Sequence, residues 1–278
     1  AFVGQPPHVF GVTPTSAQKC DFIYIDGSNF GSDPGSVSVT WNGIQLNVVS
    51  VKDDQIVAQV PSNTITDGSG HIVTVTTTWG SASTEDLLFV SDAGFGKCPT
   101  MPGHGLLGKV YILDANTSSL PDIGGQGCSD SKLDSAQPCP FNTILIANPD
   151  VPDQDWSLGF PGAGTPQDEW FAIRFTGTID LPAGSTEFRL CSDDGSKLWI
   201  GQPLDPTTTA TTTPVIDNDG VQSVTCKNGS FAAGAGGNFD IILDYFQGPR
   251  VRIALTLEWK RPGDSAFSIV PESALHLP

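Results

Sequence analysis

The sequence predicts an all-β protein built as two consecutive sandwich domains, and three observations carry that expectation. At 278 residues the chain exceeds the usual size of a single domain. It holds 31 Gly and 22 Pro against only 15% charged residues, and its Thr and Val fall in short runs, the profile of strands closed by turns. No segment keeps apolar residues at helical spacing for as long as ten residues, so helices should be few.

Residues 1–92 read as a small immunoglobulin-like sandwich. Strand-like runs recur at 22–25, 37–41, 47–51, 55–60, 72–76 and 87–90. Val37, Val39 and Trp41 alternate with Ser38 and Thr40, which gives one buried and one wet face. Asn42-Gly43 is a two-residue hairpin signal between Trp41 and Ile44. Asp53-Asp54, just before Gln55-Ile56-Val57, reads as a plain turn between strands. Four blocks, Val12-Thr13-Pro14-Thr15-Ser16, Asp26-Gly27-Ser28-Asn29-Phe30-Gly31, Val39-Thr40-Trp41-Asn42-Gly43 and Val73-Thr74-Val75-Thr76-Thr77, resemble the immunoglobulin-like domain shared by plexins and certain transcription factors. That domain is also widespread in bacterial surface proteins. The resemblance implies DNA contact in some members, but Lys19 and Lys52 are the only basic residues before position 93. With a formal charge of −17 the whole chain repels phosphate backbones, so nucleic acid is excluded as a partner. The expected role of this domain is that of a spacer.

A Gly- and Pro-rich linker at 91–105 leads into a second domain, 93–278. Within it, 121–169 reads as a long irregular stretch with eight acidic residues and one Lys. Asp150-Val151-Pro152-Asp153-Gln154-Asp155 is either a second cation loop or a set of solvated turns, and it lacks EF-hand spacing. A Thr- and Pro-dense insertion, 205–214, reads as a glycosylated stalk or as a long loop beside the site.

Asp193-Asp194 is the most informative pair in the chain. Two ionised carboxylates about 4 Å apart repel by roughly 1 kcal/mol in water and several times that in a partly dry site. A bound hard cation relieves the cost, and Ca²⁺ suits flexible oxygen-rich loops best. The alternative is an Asx-turn, in which Asp193 caps its own loop and Asp194-Gly195 makes the bend.

The surroundings of this pair resemble the anthrax protective-antigen domain family, a lectin-like antiparallel β-sandwich found in toxins, glycosidases, proteases and fungal adhesins. Phe188-Arg189-Leu190-Cys191-Ser192-Asp193-Asp194-Gly195-Ser196-Lys197-Leu198-Trp199-Ile200 resembles its signature strand-loop-strand. Gly105-Leu106-Leu107-Gly108-Lys109-Val110-Tyr111 resembles the opening strand, and Leu120-Pro121-Asp122 the loop after it. Phe171-Ala172-Ile173-Arg174-Phe175-Thr176-Gly177-Thr178-Ile179, then Leu181-Pro182-Ala183-Gly184-Ser185, match the strand and turn before the signature. Asp244-Tyr245-Phe246-Gln247-Gly248 and Ala254-Leu255-Thr256-Leu257-Glu258-Trp259 match the closing strands.

In the adhesin branch, two aspartates joined by a cis peptide hold a Ca²⁺ whose sphere is completed by sugar hydroxyls. The resemblance therefore implies Asp193 and Asp194 as metal ligands, with backbone carbonyls of Gln247 and Gly248 from the second loop. It also implies a glycan or glycoconjugate as partner. The chain departs from the pattern at Pro249 and Arg250, where relatives usually offer an oxygen side chain. Arg250 either donates to the sugar or pairs with Asp193 or Asp194 and displaces the ion. Trp156, in the acidic stretch, is the candidate for stacking on a sugar ring, against burial; Trp199 and Trp259 should face inwards.

Six cysteines without Cys-x-x-Cys spacing argue against zinc and for disulfides in an oxidising compartment, extracellular or at the cell surface. Of the 15 possible pairings, the set Cys128–Cys139, Cys191–Cys226 and Cys20–Cys98 is expected. The chain opens on Ala1 and shows no signal peptide or membrane-spanning segment, so a mature or excised fragment is expected; a monomer is expected as well. Catalysis is not expected. Glycosidase carboxylates stand about 5 to 9 Å apart, wider than adjacent aspartates on one loop, and His8, His71, His104 and His276 lie in turn-like or terminal contexts with no nucleophile elbow. The reading is a calcium-dependent carbohydrate-binding module behind a spacer; the competing class is a protein-interaction or structural module of a large bacterial surface protein, whose aspartates only shape a turn.

Overall fold

The computed structural model describes residues 4–13, 15–62, 64, 69–91, 95–101, 103–156, 159–160, 167–203, 212–250 and 252–278. Most of the 205–214 insertion lies outside the described residues. The chain divides into two units, Ala1–Gly94 with Phe160–Thr165, and Phe95–Gly159 with Pro166–Pro278.

The first unit carries β1 (His8–Thr13), β2 (Ser16–Gln18), β3 (Phe22–Ser28), β4 (Ser38–Trp41), β5 (Ile44–Gln45), β6 (Asn47–Lys52), β7 (Gln55–Gln59), β8 (Gly70–Thr77) and β9 (Gly80–Ser91). They form two sheets, β1-β3-β7-β6 and β2-β9-β8-β4-β5. The alternation read from the sequence is the one that folds: Val39 and Trp41 are fully buried with Ile23, Ile25, Ile56 and Val75. The Trp41 indole N–H donates to the Leu88 carbonyl at 2.7 Å, satisfying the polar end of the largest core side chain. Asn42 and Gly43 both have positive φ, 49° and 75°, as the tight turn between Trp41 and Ile44 requires. β1 and β2 did not read as strands. A bulge between Val9 and Gly11 breaks the period of β1 and leaves Phe10 63% exposed, while β2 is three residues paired parallel to β9.

The second unit carries β10 (Leu106–Ile112), β11 (Asn142–Ile146), β12 (Asp150–Gln154), β13 (Phe171–Leu181), β14 (Ser185–Asp193), β15 (Ser196–Ile200), β16 (Ile216–Asn218), β17 (Thr225–Ala232), β18 (Gly237–Gln247), β19 (Ile253–Lys260), β20 (Ser268–Ile269) and β21 (Leu275–His276). One sheet runs β11-β10-β13-β18-β15-β16, with β21 added to β13; the other runs β12-β19-β14-β17, with β20 on β19. Every pairing among these strands is antiparallel.

The long strands β13 and β18 pair over eleven residues, Phe171–Leu181 against Gln247–Gly237, and sort their side chains to two faces. On one face Phe171, Phe175 and Tyr245 pack with Phe95 and Trp156, ring centroids 5.5–6.3 Å apart. On the other, Ala172 and Phe246 join Tyr111, Leu113, Leu120, Ile123 and Leu133 in a smaller core. That second cluster is the underside of the acidic stretch. It explains why a segment with few apolar residues folds back on the sheet, with a Leu113–Leu133 bridge and the Cys128–Cys139 disulfide closing it.

The acidic stretch is less irregular than its sequence suggests. β11 and β12 lie within it, hidden because Ile144, Leu145 and Ile146 do not alternate and because β12 carries Pro152 and a register slip against β19. Asp150 is bound by Lys97 at 2.5 Å, and Asp153 and Asp155 by Arg252, so this stretch is a paired edge strand rather than solvated turns. Trp199 and Trp259 are buried, as expected. Cys128–Cys139 and Cys191–Cys226 are bonded as expected, and Cys20 and Cys98 are disulfide-bonded as well. A thiol reagent should therefore label no cysteine in native or denatured protein before reduction, and reduction should cost about 2–4 kcal/mol of stability per bridge lost. Two labelled cysteines in the unreduced, denatured chain would contradict this bonding.

Candidate functional site

Strand β14 ends at Asp193, paired with Ala254 of β19 in one sheet; β15 begins at Ser196, paired with Tyr245 of β18 in the other. The chain therefore crosses between the two sheets within Asp194-Gly195, and the aspartates stand at the end of the sandwich. Their peptide bond is cis. Gly195 is required by space: a Cβ there would lie 2.4 Å from a ring carbon of Phe246 and 2.8 Å from the Gly220 nitrogen.

Each aspartate is held differently. The Asp194 carboxylate is nearly buried and accepts two backbone N–H bonds, from Gly248 on Oδ2 at 2.7 Å and from Gln222 on Oδ1 at 2.8 Å. Burial pushes its pKa up, and those two donors pull it back. Asp193 is anchored through its carbonyl, 2.6 Å from the Tyr245 hydroxyl, which also lies 2.6 Å from Gln247 Oε1. Burial, and after it the two carboxylates, hold that hydroxyl well above its usual pKa and keep it a donor. Among the described residues, nothing donates to the Asp193 carboxylate. Burial first, then Asp194 and Asp153, raise its pKa to about 6, with Arg252 opposing.

The second loop is arranged around Asp194. Gln247 is buried, and its side-chain amide donates to the carbonyls of Pro249 at 3.1 Å and Arg252 at 3.0 Å, which ties those two residues to the end of β18. Gly248 turns its N–H to Asp194, and its carbonyl accepts from the Trp170 N–H at 3.2 Å. A Cβ on Gly248 would sit 3.0 Å from Asp194 Oδ2 and crowd the carboxylate. Gln247 and Gly248 are thus brought to the aspartate pair. Arg250 pairs with Asp168 at 2.8 Å rather than with Asp193 or Asp194, and its backbone N–H binds Glu169.

Trp156 is not a surface for stacking. It is 8% exposed and packed edge-on against Phe95 and Phe171, so it presents no face to a ligand. Sequence reading missed four contributors. Gln222 and Arg252 carried no local signal, since one acts through its backbone N–H and the other through a partner about a hundred positions away. Tyr245 was visible only as part of a strand. Trp170, half-buried with φ of +53° beside Gly248, had no neighbour in sequence to mark it.

The donor set fits a hard cation in type. Two carboxylates project from one loop, one of them with no donor among the described residues, and the Gly248 backbone stands against the other. Among the described residues no group of three or more His, Cys, Asp or Glu side chains forms a metal cluster. A cation there would draw its remaining oxygens from carbonyls, water or a ligand's hydroxyls.

A raised folded-state pKa means that ionised Asp193 opposes folding: the penalty is complete above about pH 6 and is relieved as pH falls towards 3.8. With chelator present, Asp193→Asn should therefore melt higher than wild type at pH 7, and the gap should close below pH 6. A melting temperature unchanged or lowered at pH 7 would show that the carboxylate is not frustrated.

Comparison with known proteins places these features. A model described as "PA14 domain" matches residues 103–273, and one described as "IPT/TIG domain" matches residues 7–90. No curated protein matches the chain. Among solved structures, the PA14 domain of the MpAFP antifreeze protein is 18% identical, covering 66% of this chain and 97% of its own, with a TM-score of 0.46. The Candida glabrata epithelial adhesin 6 A domain, in complex with Galβ1-3GlcNAc, is 15% identical, with 66% and 92% covered and a TM-score of 0.45. An auxiliary nutrient binding protein from Bacteroides ovatus is 18% identical with a TM-score of 0.28; the match covers 42% of this chain and only 26% of that one, so the present chain spans about a quarter of its length. The PA14 match takes in more than half of the sequence and contains every residue of the aspartate site: the chain belongs to the PA14 domain family, with an IPT/TIG domain ahead of that module.

Proposed function

We propose that the PA14 domain is a carbohydrate-binding module that captures saccharide hydroxyls through a calcium ion held by Asp193 and Asp194. The observation that carries the reading is the Asp193 carboxylate, set beside Asp194, partly desolvated and without a donor among the described residues. Such a group is costly to keep unless a cation occupies the site. Asp194, whose oxygens each keep a lone pair after accepting one N–H, would share the ion, with carbonyls near Gln247 and Gly248 completing the protein's part. When bound, calcium supplies open coordination positions for vicinal hydroxyls. Arg250, held through Nε by Asp168 and 57% exposed, would direct its other N–H groups to the ligand. The disulfides favour a secreted or cell-surface setting, and the first domain would act as a spacer.

A second reading has support of its own. Both Asp194 oxygens clasp backbone N–H groups, as they would if the loop were only a structural turn. The two readings part on one comparison. In the calcium reading, the ion raises the melting temperature of wild type, by the equivalent of about 2.7 kcal/mol at a hundredfold excess over Kd, and Asp193→Asn abolishes the rise. On a glycan array, chelator should remove all binding through this site. An equal calcium-induced rise in wild type and Asp193→Asn would sink the proposal and leave the turn.

A further inference from the structure

The other face of the β10-β13-β18-β15 sheet carries a second feature that the aspartate site does not use. Between the sheet and the folded-back segment 113–134 lies a cleft of about 340 Å³, within the roughly 300–1,000 Å³ typical of small-molecule pockets. Its floor is the buried pair Arg174–Asp244, joined by two bonds, Nε to Oδ1 at 2.8 Å and Nη2 to Oδ2 at 2.6 Å. Asp244 and Tyr245 are neighbours on β18, so their side chains leave opposite faces of the strand. The cleft is therefore separated by the sheet from the Tyr245 hydroxyl that anchors Asp193.

The lining charges are nearly all spoken for. Lys197 is met by Asp219 at 3.1 Å and Asp217 at 3.7 Å. The Asp130 carboxylate accepts the N–H groups of Asp122 and Lys132 at 2.7 and 2.8 Å. Two groups keep unused capacity. The Lys132 ammonium reaches only neutral oxygens among the described residues, Ser119 Oγ at 2.7 Å and the Leu120 carbonyl at 2.6 Å, which leaves one of its three protons. Asp122 accepts one N–H, from Gly125 on Oδ1 at 2.8 Å, and its second oxygen has no donor among the described residues. Leu120, Pro121 and Trp199 add an apolar wall.

We infer that this cleft is a calcium-independent binding site for a neutral, hydroxyl-rich ligand, a single sugar ring. An ion of either sign would match only one of Lys132 and Asp122 and repel the other. Hydroxyl groups accept from the first and donate to the second, so a neutral polyol answers both charges without repelling either. The site makes the domain bivalent, with one saccharide position dependent on calcium and one not.

The test is saturation-transfer NMR on the full chain in excess chelator, with methyl α-D-mannopyranoside and methyl β-D-galactopyranoside as probes. Ser131 and Gln126 line the cleft with exposed side chains, so Ser131→Trp and Gln126→Trp plug it without removing a bond named above. At least one probe should receive saturation from wild type and from Asp193→Asn alike, and a plug variant with an unchanged melting temperature should weaken it about tenfold. Absence of transfer to both probes, transfer undiminished in both plug variants, or loss in Asp193→Asn would each overturn the inference. Chelator is present throughout, so failure here leaves the calcium reading untouched.

Discussion

The site depends on one clasp, the Asp194 carboxylate gripped by the N–H groups of Gly248 and Gln222. Those donors come from two separate loops, and the carboxylate from the connection between the two sheets. One side chain thereby ties three chain segments at the end of the sandwich. The clasp is close because Gly248 lacks a Cβ, which would crowd Asp194 Oδ2 at 3.0 Å, and because Gln247, buried beneath it, holds the carbonyls of Pro249 and Arg252. With Asp194 fixed, Asp193 has little freedom, since the Tyr245 hydroxyl grips its carbonyl from inside the core. Among the described residues, nothing donates to its carboxylate.

This division of labour distinguishes the two aspartates. Asp194 is a positioning group whose charge is already partly answered by the backbone. Asp193 is desolvated and faces the fields of Asp194 and Asp153, offset only by Arg252. The acidic composition of the chain enters here as a local cost rather than as general solubility. Asp153 adds to that cost even though Arg252 binds it, because a surface ion pair screens its partner incompletely.

Much of the fold was legible in the sequence. Alternation at Val37, Val39 and Trp41, the Asn42-Gly43 turn and the ordered blocks from Gly105 to Trp259 each correspond to strands or turns. What was hidden lacked period or length: β1 carries a bulge, β2 is three residues, and β12 bears a proline and charged partners. At the candidate site, Asp193, Asp194, Gln247 and Gly248 could be singled out because they are close in sequence to strand ends that matched a pattern. Gln222, Trp170 and Arg252 were not, because what they contribute is a backbone N–H, a ring set by a positive φ and a distant ion pair. Trp156 misled because an aromatic residue among acids looks exposed, whereas the fold threads it back to Phe95 and Phe171.

Terbium luminescence excited through tryptophan tests the central claim most directly, because Trp170 stands beside Gly248 and the Asp194 carboxylate. A calcium site on this pair predicts sensitised emission that saturates at one ion per chain, is displaced by calcium and vanishes in Asp193→Asn. Emission that is absent in wild type, or equal in wild type and Asp193→Asn, would contradict it.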